Sequence, residues 1–177
     1  YISIVTAFRD DDYIASCKRL ASRSADEYES LKDEHTDDFS ALMKRSDISL
    51  EGDSEADGLT VAERLKRLKE GGGADFGLIS LYFQFGKYLF ISSSREGTLP
   101  ANLQGVWAEK MSNPWNADYH TNINLQMNYW LAEPANLSSL TMPLFDYMNK
   151  YLLHQGERTA REFYHVNGTV VHHLSDI

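Results

Sequence analysis

Three observations predict a mainly α fold. Tyr28, Leu31, His35, Phe39 and Leu42 recur at spacings of three and four, an apolar stripe on an otherwise charged cylinder. From Phe76 to about Ser92, apolar side chains cover nearly the whole circumference of a helix, as in one buried on most sides of a larger body. Helical segments alternate with long loops, and no repeat of fixed period interrupts them, a pattern compatible with stacked helical hairpins.

The elements can be justified in order. Tyr1 to Phe8 (YISIVTAF) is β-branched and aromatic and reads as a strand, followed by a charged turn from Arg9 to Tyr13. Ser24 and Glu27 form an S-x-x-E capping box that is expected to start the striped helix, which runs to about Arg45 and places its stripe in a core. Asp47 to Leu50 suits a short extended piece, and Glu51 to Gly58 is an acidic loop, where a boundary is placed. Thr60 and Glu63 make a second capping box for a short helix that carries Leu65 and Leu68 inward until Gly71, Gly72 and Gly73 stop it. Asp75 is positioned to cap the apolar helix, and Ser92, Ser93 and Ser94 to close it. Ser94 to Asp118 is a long irregular stretch in which Trp107 and Trp115 argue for order. A helix is expected from Tyr119 or Asn122 to Ala132, another from Pro143 to His154 or beyond, punctuated by Gly156, and a last one over Glu157 to Tyr164. Gly168 to His173 returns to extended residues. The lack of an initiating Met and the strand-like start suggest a segment of a longer protein.

Composition narrows the function. The 177 residues are 42% hydrophobic, 12% aromatic and 24% charged, a globular balance that excludes wholesale disorder and collagen-like repeats. The net charge of −9 has the wrong sign for a nucleic-acid or anionic-membrane surface, so a neutral partner is expected. Cys17 is alone, with no disulfide mate and no zinc-site spacing. No apolar run approaches the roughly 18 residues of a membrane span. The sequence lacks G-x-S-x-G, G-x-x-x-x-G-K-[ST], G-x-G-x-x-G and H-E-x-x-H. The serine run has no elbow context, and His172, His173 and Asp176 lack a fourth ligand, so neither a serine nucleophile nor a metal is assigned. Asn136-Leu-Ser138 and Asn167-Gly-Thr169 fit the glycosylation pattern, which recurs often by chance.

The informative segment is Leu99 to Glu133, LPANLQGVWAEKMSNPWNADYHTNINLQMNYWLAE. It gathers Asn102, Asn113, Asn116, Asn122, Asn124, Asn128, Gln104 and Gln126 with Trp107, Trp115, Tyr119 and Trp130. Amides donate and accept hydrogen bonds, and aromatic faces stack on apolar C–H surface, the combination neutral sugars require. A single asparagine is more often a cap or a loop fastener. A cluster this dense, in which any buried unpaired amide is costly, is better accounted for by a ligand or ordered water. An extended entry would set His120, Asn122 and Asn124 on one side, whereas a helix would align only His120 with Asn124.

Tyr82 to Glu133, YFQFGKYLFISSSREGTLPANLQGVWAEKMSNPWNADYHTNINLQMNYWLAE, resembles the region that marks glycoside hydrolase family 95, the inverting 1,2-α-L-fucosidases and related α-L-galactosidases. The likeness extends more weakly back through Ser24 to Leu50 and forward to VHHLSDI; Leu131 and Leu174 depart from the Pro and Asn common in the family. It implies a partial (α/α)6 barrel of helical hairpins with a short N-terminal remnant of a β domain. Residues 1–58 would be the end of that β-rich domain and a helical linker, and 59–177 the truncated N-terminal part of the catalytic domain.

The resemblance also implies chemistry. An inverting glycosidase needs an acid for the leaving oxygen and a base that activates water on the opposite face. In this family the acid is a glutamate, and water is held by asparagine polarised by an aspartate. The asparagines match Asn122 and Asn124 in HTNIN; the glutamate and aspartate are expected beyond residue 177, and Glu133 and Asp176 are not put in their place. His120 would bind a fucose hydroxyl, while Trp107, Trp115 and Tyr119 would wall the pocket or only pack. The implied partners are fucosylated oligosaccharides or glycoconjugate glycans and the missing C-terminal half of the barrel, with no cofactor, no metal and no nucleic acid. The isolated chain would be inactive, and family analogy points to export or the cell surface. The rival readings are an α-L-galactosidase of the same family and a noncatalytic glycan-binding or helical scaffold protein.

Overall fold

The computed structural model describes residues 3–7, 10–51 and 55–175, apart from the side chains of 23–26. It is mainly helical, and it divides into two compact units, Tyr1–Ala41 and Leu42–Ile177.

In the first unit, the Asp12 carboxylate accepts the Ala15 N–H at 3.4 Å and so caps α1 (Tyr13–Asp26). The expected helix start at Ser24 is thereby overturned: Ser24 lies in the last turn of α1, and α2 (Tyr28–Met43) begins after a break at Glu27. Tyr13, Cys17 and Leu20, at spacings of four and three, continue the helix that Asp12 nucleates. Residues 3–7 are irregular instead of extended in a sheet, because ladder hydrogen bonds require a second strand. Ser3 instead exchanges hydrogen bonds with Cys17, Oγ to carbonyl and Sγ to carbonyl, each at 3.3 Å. Tyr1, Ile2, Phe8 and Arg9 of the expected strand and turn lie outside the described residues. Along α2 the predicted stripe is only partly covered: Leu42 is buried, Leu31 and Phe39 are half-buried, and Tyr28 and His35 are exposed.

The second unit opens on α3 (Val61–Lys69), whose capping box forms as predicted: Thr60 Oγ1 accepts the Glu63 N–H at 3.3 Å and Glu63 Oε2 accepts the Thr60 N–H at 2.8 Å. Asp75 caps α4 (Phe76–Ser93) through the Leu78 N–H at 2.9 Å. The same carboxylate takes a two-pronged ion pair from Arg64, Nε at 2.8 Å and Nη2 at 2.5 Å, which binds α3 to the start of α4. Gly77 has no side chain where the guanidinium lies; a Cβ there would meet Nη2 at 2.7 Å. Leu65 and Leu68 do not turn into a closed core as expected. With Val61, Leu78, Ile79 and Phe85 they line an open apolar groove of about 740 Å³ between the two helices, since two helices alone cannot cover each other's apolar faces.

The all-round apolar α4 is buried at one end only. Lys87, Phe90, Ile91 and Ser93 are buried, while Ile79, Phe85 and, at 77% exposure, Tyr82 face out. Lys87 is enclosed because its ammonium has work at the end of α2: Nζ donates to the Met43 carbonyl at 2.6 Å and to the Ser46 carbonyl, satisfying acceptors that a helix end leaves open. The 45–50 segment wraps α4 without regular structure, Ser46 Oγ donating to the Ala135 carbonyl at 2.8 Å and the Leu50 N–H to Ser80 Oγ at 3.1 Å.

Beyond the long loop, β1 (Tyr119–His120) pairs antiparallel with β2 (Leu174–Ser175), Tyr119 opposite Ser175 and His120 opposite Leu174. The helix predicted to begin near 119 is therefore shorter, α5 (Asn124–Tyr129), and Trp130 to Asn136, with Pro134 among them, form turns ahead of a 3₁₀ turn at Ser138–Thr141. Then α6 (Met142–Tyr147), a π turn (Met148–Leu152) and α7 (Leu153–Glu162) follow one another without interruption. Gly156, expected to punctuate, lies inside α7. It lets the 169–170 segment approach: a Cβ would meet Thr169 Cγ2 at 2.4 Å, and the Gly156 carbonyl accepts the Val170 N–H at 3.1 Å.

Two predictions follow from these buried charges. The hydrogen bonds from Arg64 hold the Asp75 carboxyl at about 2, against the opposing effect of burial and with help from the Leu78 N–H. Its depressed value contributes stability that is present above the ordinary value of 3.8 and is lost as pH falls through about 2. The urea midpoint will therefore drop across that window, and Asp75→Asn will start lower and lose this part of the pH dependence. For Lys87, burial pushes the ammonium down and the charge of Asp47 opposes this. Lys87→Met will strand the Met43 and Ser46 carbonyls and cost about 1–3 kcal/mol in equilibrium unfolding.

Candidate active site

The amide-rich segment is fastened by hydroxyls and amides from α4 and α5. Ser94 ends α4, its N–H bonded to the Phe90 carbonyl at 3.1 Å, which places the serine run in the capping role. Ser94 Oγ donates to the Leu140 carbonyl at 2.8 Å and accepts the Tyr129 hydroxyl at 2.8 Å, and Tyr129 Oη accepts the Ala101 N–H at 3.1 Å. Burial pushes the Tyr129 phenol above its usual range, so it stays a neutral donor. Its ring meets Phe90 edge-on at 5.3 Å between centroids.

The same loop is gripped twice more. Asn128 Nδ2 donates to the Asn102 carbonyl at 2.9 Å and the Ala101 carbonyl at 3.4 Å, and the Tyr119 hydroxyl donates to the Pro100 carbonyl at 3.1 Å. Asn102 Oδ1 accepts the Gln104 N–H at 2.8 Å, closing an Asx turn that ends at Gly105. Gly105 adopts φ 71°, and the Trp107 ring lies where its Cβ would stand, at 2.7 Å. The Gln104 side-chain carbonyl is buried with no partner among the described residues.

The six residues expected at the site divide by their commitments. Tyr119 is buried, its hydroxyl engaged and its ring 4.7 Å from that of Tyr147, so it packs and does not face a pocket. Trp107 is half-covered, 6.4 Å from Tyr88 between ring centroids. Trp115 is 72% exposed on a 3₁₀ turn whose residues Trp115, Asn116 and Ala117 all take positive φ. Left-handed conformations cost L residues roughly 1 kcal/mol or more each, so this turn holds its shape against a local preference. The bonds from Asn116 N–H to Asn113 and from Asp118 N–H to Trp115 close it.

His120, Asn122 and Asn124 follow in five residues but on three kinds of backbone. His120 ends β1, Asn122 is exposed on a turn, and Asn124 is half-buried as the first residue of α5. Neither the wholly extended nor the wholly helical entry is adopted. The turn is anchored at Thr121: its N–H donates to the His173 carbonyl at 2.9 Å, its hydroxyl to the His172 carbonyl, and its own carbonyl accepts Gln126 Nε2 at 2.7 Å. Asn102, Asn128 and Gln126 thus serve the backbone, whereas the amides of Asn122 and Asn124 make no hydrogen bond among the described residues. These two can orient a water or a sugar hydroxyl, and, being neutral, cannot take a proton from it.

The acidic residues nearby in sequence do not supply that base. Glu133 accepts the Ser138 hydroxyl at 2.7 Å, and Asp176 lies outside the described residues. His172 Nε2 sits 3.1 Å from the Tyr164 hydroxyl. Thr121 escaped the sequence reading, and Gln126 was read only as one of the clustered amides, because their partners lie in the 172–173 segment that leads into β2 and in a turn that only the fold defines.

Comparison with known proteins identifies the family of the chain. The chain is 40% identical over 163 residues to the α-L-fucosidase 2 of Arabidopsis thaliana, covering 90% of this chain and 19% of that protein. It is 36% identical over 167 residues to a probable α-fucosidase A of Aspergillus oryzae, covering 93% of the chain and 23% of the relative. A probable α-fucosidase A of Aspergillus niger is 35% identical over 164 residues, with 92% and 20% covered. The chain thus spans about a fifth of the length of the curated relatives it matches. The family model of the glycosyl hydrolase family 95 catalytic domain matches residues 27–177, and the chain belongs to that family.

Proposed function

We propose that the longer protein containing this chain removes terminal α-1,2-linked L-fucose from oligosaccharides or glycoconjugate glycans with inversion at the anomeric carbon. The observation that carries this reading is the pair of uncommitted amides, Asn122 and Asn124, on an anchored turn in a chain whose relatives are named fucosidases. The two amides hold the attacking water, and a carboxylate outside the chain accepts its proton through them, since an amide has no useful basicity near neutral pH. A glutamic acid, also outside the chain, protonates the leaving oxygen from the opposite face. His120 binds a fucose hydroxyl, Trp107 and Trp115 offer stacking surface, and Tyr119 supports the wall from behind.

In this reading residues 59–177 form the first part of an (α/α)6 barrel, and 1–58 the end of a β-rich domain with its helical linker. The family match begins at residue 27, within that linker. The open groove between α3 and α4 and the outward Ile79, Tyr82 and Phe85 are surfaces the remaining barrel helices cover. An isolated 177-residue chain is then inactive and prone to associate.

Proton NMR of a 2′-fucosylated lactose incubated with the full-length protein will show β-fucose before α-fucose. Release of α-fucose first overturns inversion, and turnover of α-L-galactosides alone overturns the fucose assignment. Asn122→Ala and Asn124→Ala will each lower kcat by about 10²-fold to 10⁴-fold while leaving the thermal midpoint little changed, because neither amide holds the fold. The 177-residue chain alone will give no detectable fucose.

A further inference from the structure

We propose that Thr121 is a positioning residue for the reaction, setting the direction of the Asn122 and Asn124 amides through the main chain on either side of it. This rests on the assignment of those two asparagines made above. Asn122 is exposed on a turn, and its side chain has no protein partner among the described residues, so its direction comes from the backbone that carries it. That backbone is seized at Thr121 from two sides. The N–H and the hydroxyl donate to the successive carbonyls of His173 and His172, and the carbonyl receives Gln126 Nε2 at 2.7 Å from α5. All three polar groups of one residue are thereby committed, and the carbonyl of the peptide joining Thr121 to Asn122 is held by one of these bonds.

The support on the far side is itself fixed. Val170 N–H donates to the Gly156 carbonyl at 3.1 Å, and the Tyr147 hydroxyl to Ser175 Oγ at 2.8 Å, so the 172–173 segment that holds Thr121 is tied on its two sides to α7 and α6. Downstream, the Met127 N–H to Ile123 carbonyl bond, 2.9 Å, fixes the entry into α5 at Asn124. The backbone ladder alone accounts for the N–H of Thr121. The hydroxyl adds a second bond to the neighbouring carbonyl, which any residue without a β-hydroxyl would lack, and it locks the rotation that the ladder leaves. Displacements of about 1 Å around a reacting centre cost on the order of 10²-fold in rate, so loss of this lock is felt in turnover and not in substrate affinity.

The test is steady-state kinetics of the full-length protein on 2′-fucosyllactose, with thermal midpoints measured in parallel. Thr121→Val keeps the shape and removes the hydroxyl, Thr121→Ser restores it, and Gln126→Leu releases the carbonyl from the other side. Thr121→Val is expected to lower kcat about 10-fold with KM within about twofold, Thr121→Ser to recover at least half of the lost turnover, and Gln126→Leu to lower kcat in the same sense. Wild-type kcat in folded Thr121→Val, or an equal loss in Val and Ser that follows the thermal midpoint, overturns the proposal. If Thr121→Val does not fold, Gln126→Leu decides: unchanged kcat overturns it, and reduced kcat at unchanged KM supports it. Asn122→Ala and Asn124→Ala run beside these separate the two ideas. Full activity in both asparagine variants sinks the site assignment, whereas their inactivity with active Thr121→Val sinks only the positioning role.

Discussion

A single chain of hydrogen bonds, Ala101 N–H to Tyr129, Tyr129 to Ser94 and Ser94 to the Leu140 carbonyl, organises the larger unit. It joins four segments: the end of α4, the loop at 101, α5 and the 3₁₀ turn before α6. Each hydroxyl gives one proton and receives one, so the chain has a fixed sense and no orphaned group, the condition under which buried polar networks stabilise instead of costing. Phe90 packs edge-on against the Tyr129 ring, and Tyr129 and Ser94 are themselves buried. Because the network terminates in backbone, it fixes the loop at 101 itself, the stretch that leads to Asn102, Gln104 and Trp107.

The rest of the molecule shows what happens where no such closure exists. The helix α4 is apolar nearly all round, but only its C-terminal end, with Lys87, Phe90 and Ile91, is enclosed. The N-terminal end depends on the Arg64–Asp75 pair for its attachment to α3, and the apolar side chains between the two helices remain open to solvent. An ion pair of good geometry fixes an angle between helices; it does not replace the area that apolar faces need to bury.

What the sequence made legible was local. The Thr60–Glu63 box, the Asp75 cap and the extent of α4 are decided within a few residues, and all three appear as read. The first helix was missed because two cap signals compete there, and Asp12 acts before Ser24. The pairing of Tyr119 with Ser175 was invisible, since nothing within either two-residue strand names its partner. For the site, the density of amides was plain from composition, but which of them serve the backbone was not. Asn128 reaches a loop 26 residues away, while Asn122, of the same chemical type, reaches nothing among the described residues.

The close approach of the 169–170 segment to Gly156 gives α7 a part in the site it does not touch. With 2.4 Å from the place of a Cβ to Thr169 Cγ2, any side chain at 156 displaces the segment leading to β2. Since β2 pairs with β1 and the 172–173 segment just before it holds Thr121, that displacement arrives at the asparagine turn. A helix position on the remote side of the strand pair is thus mechanically in series with the amides, and sequence variation tolerated elsewhere on α7 would at this one position be read out as a change in chemistry.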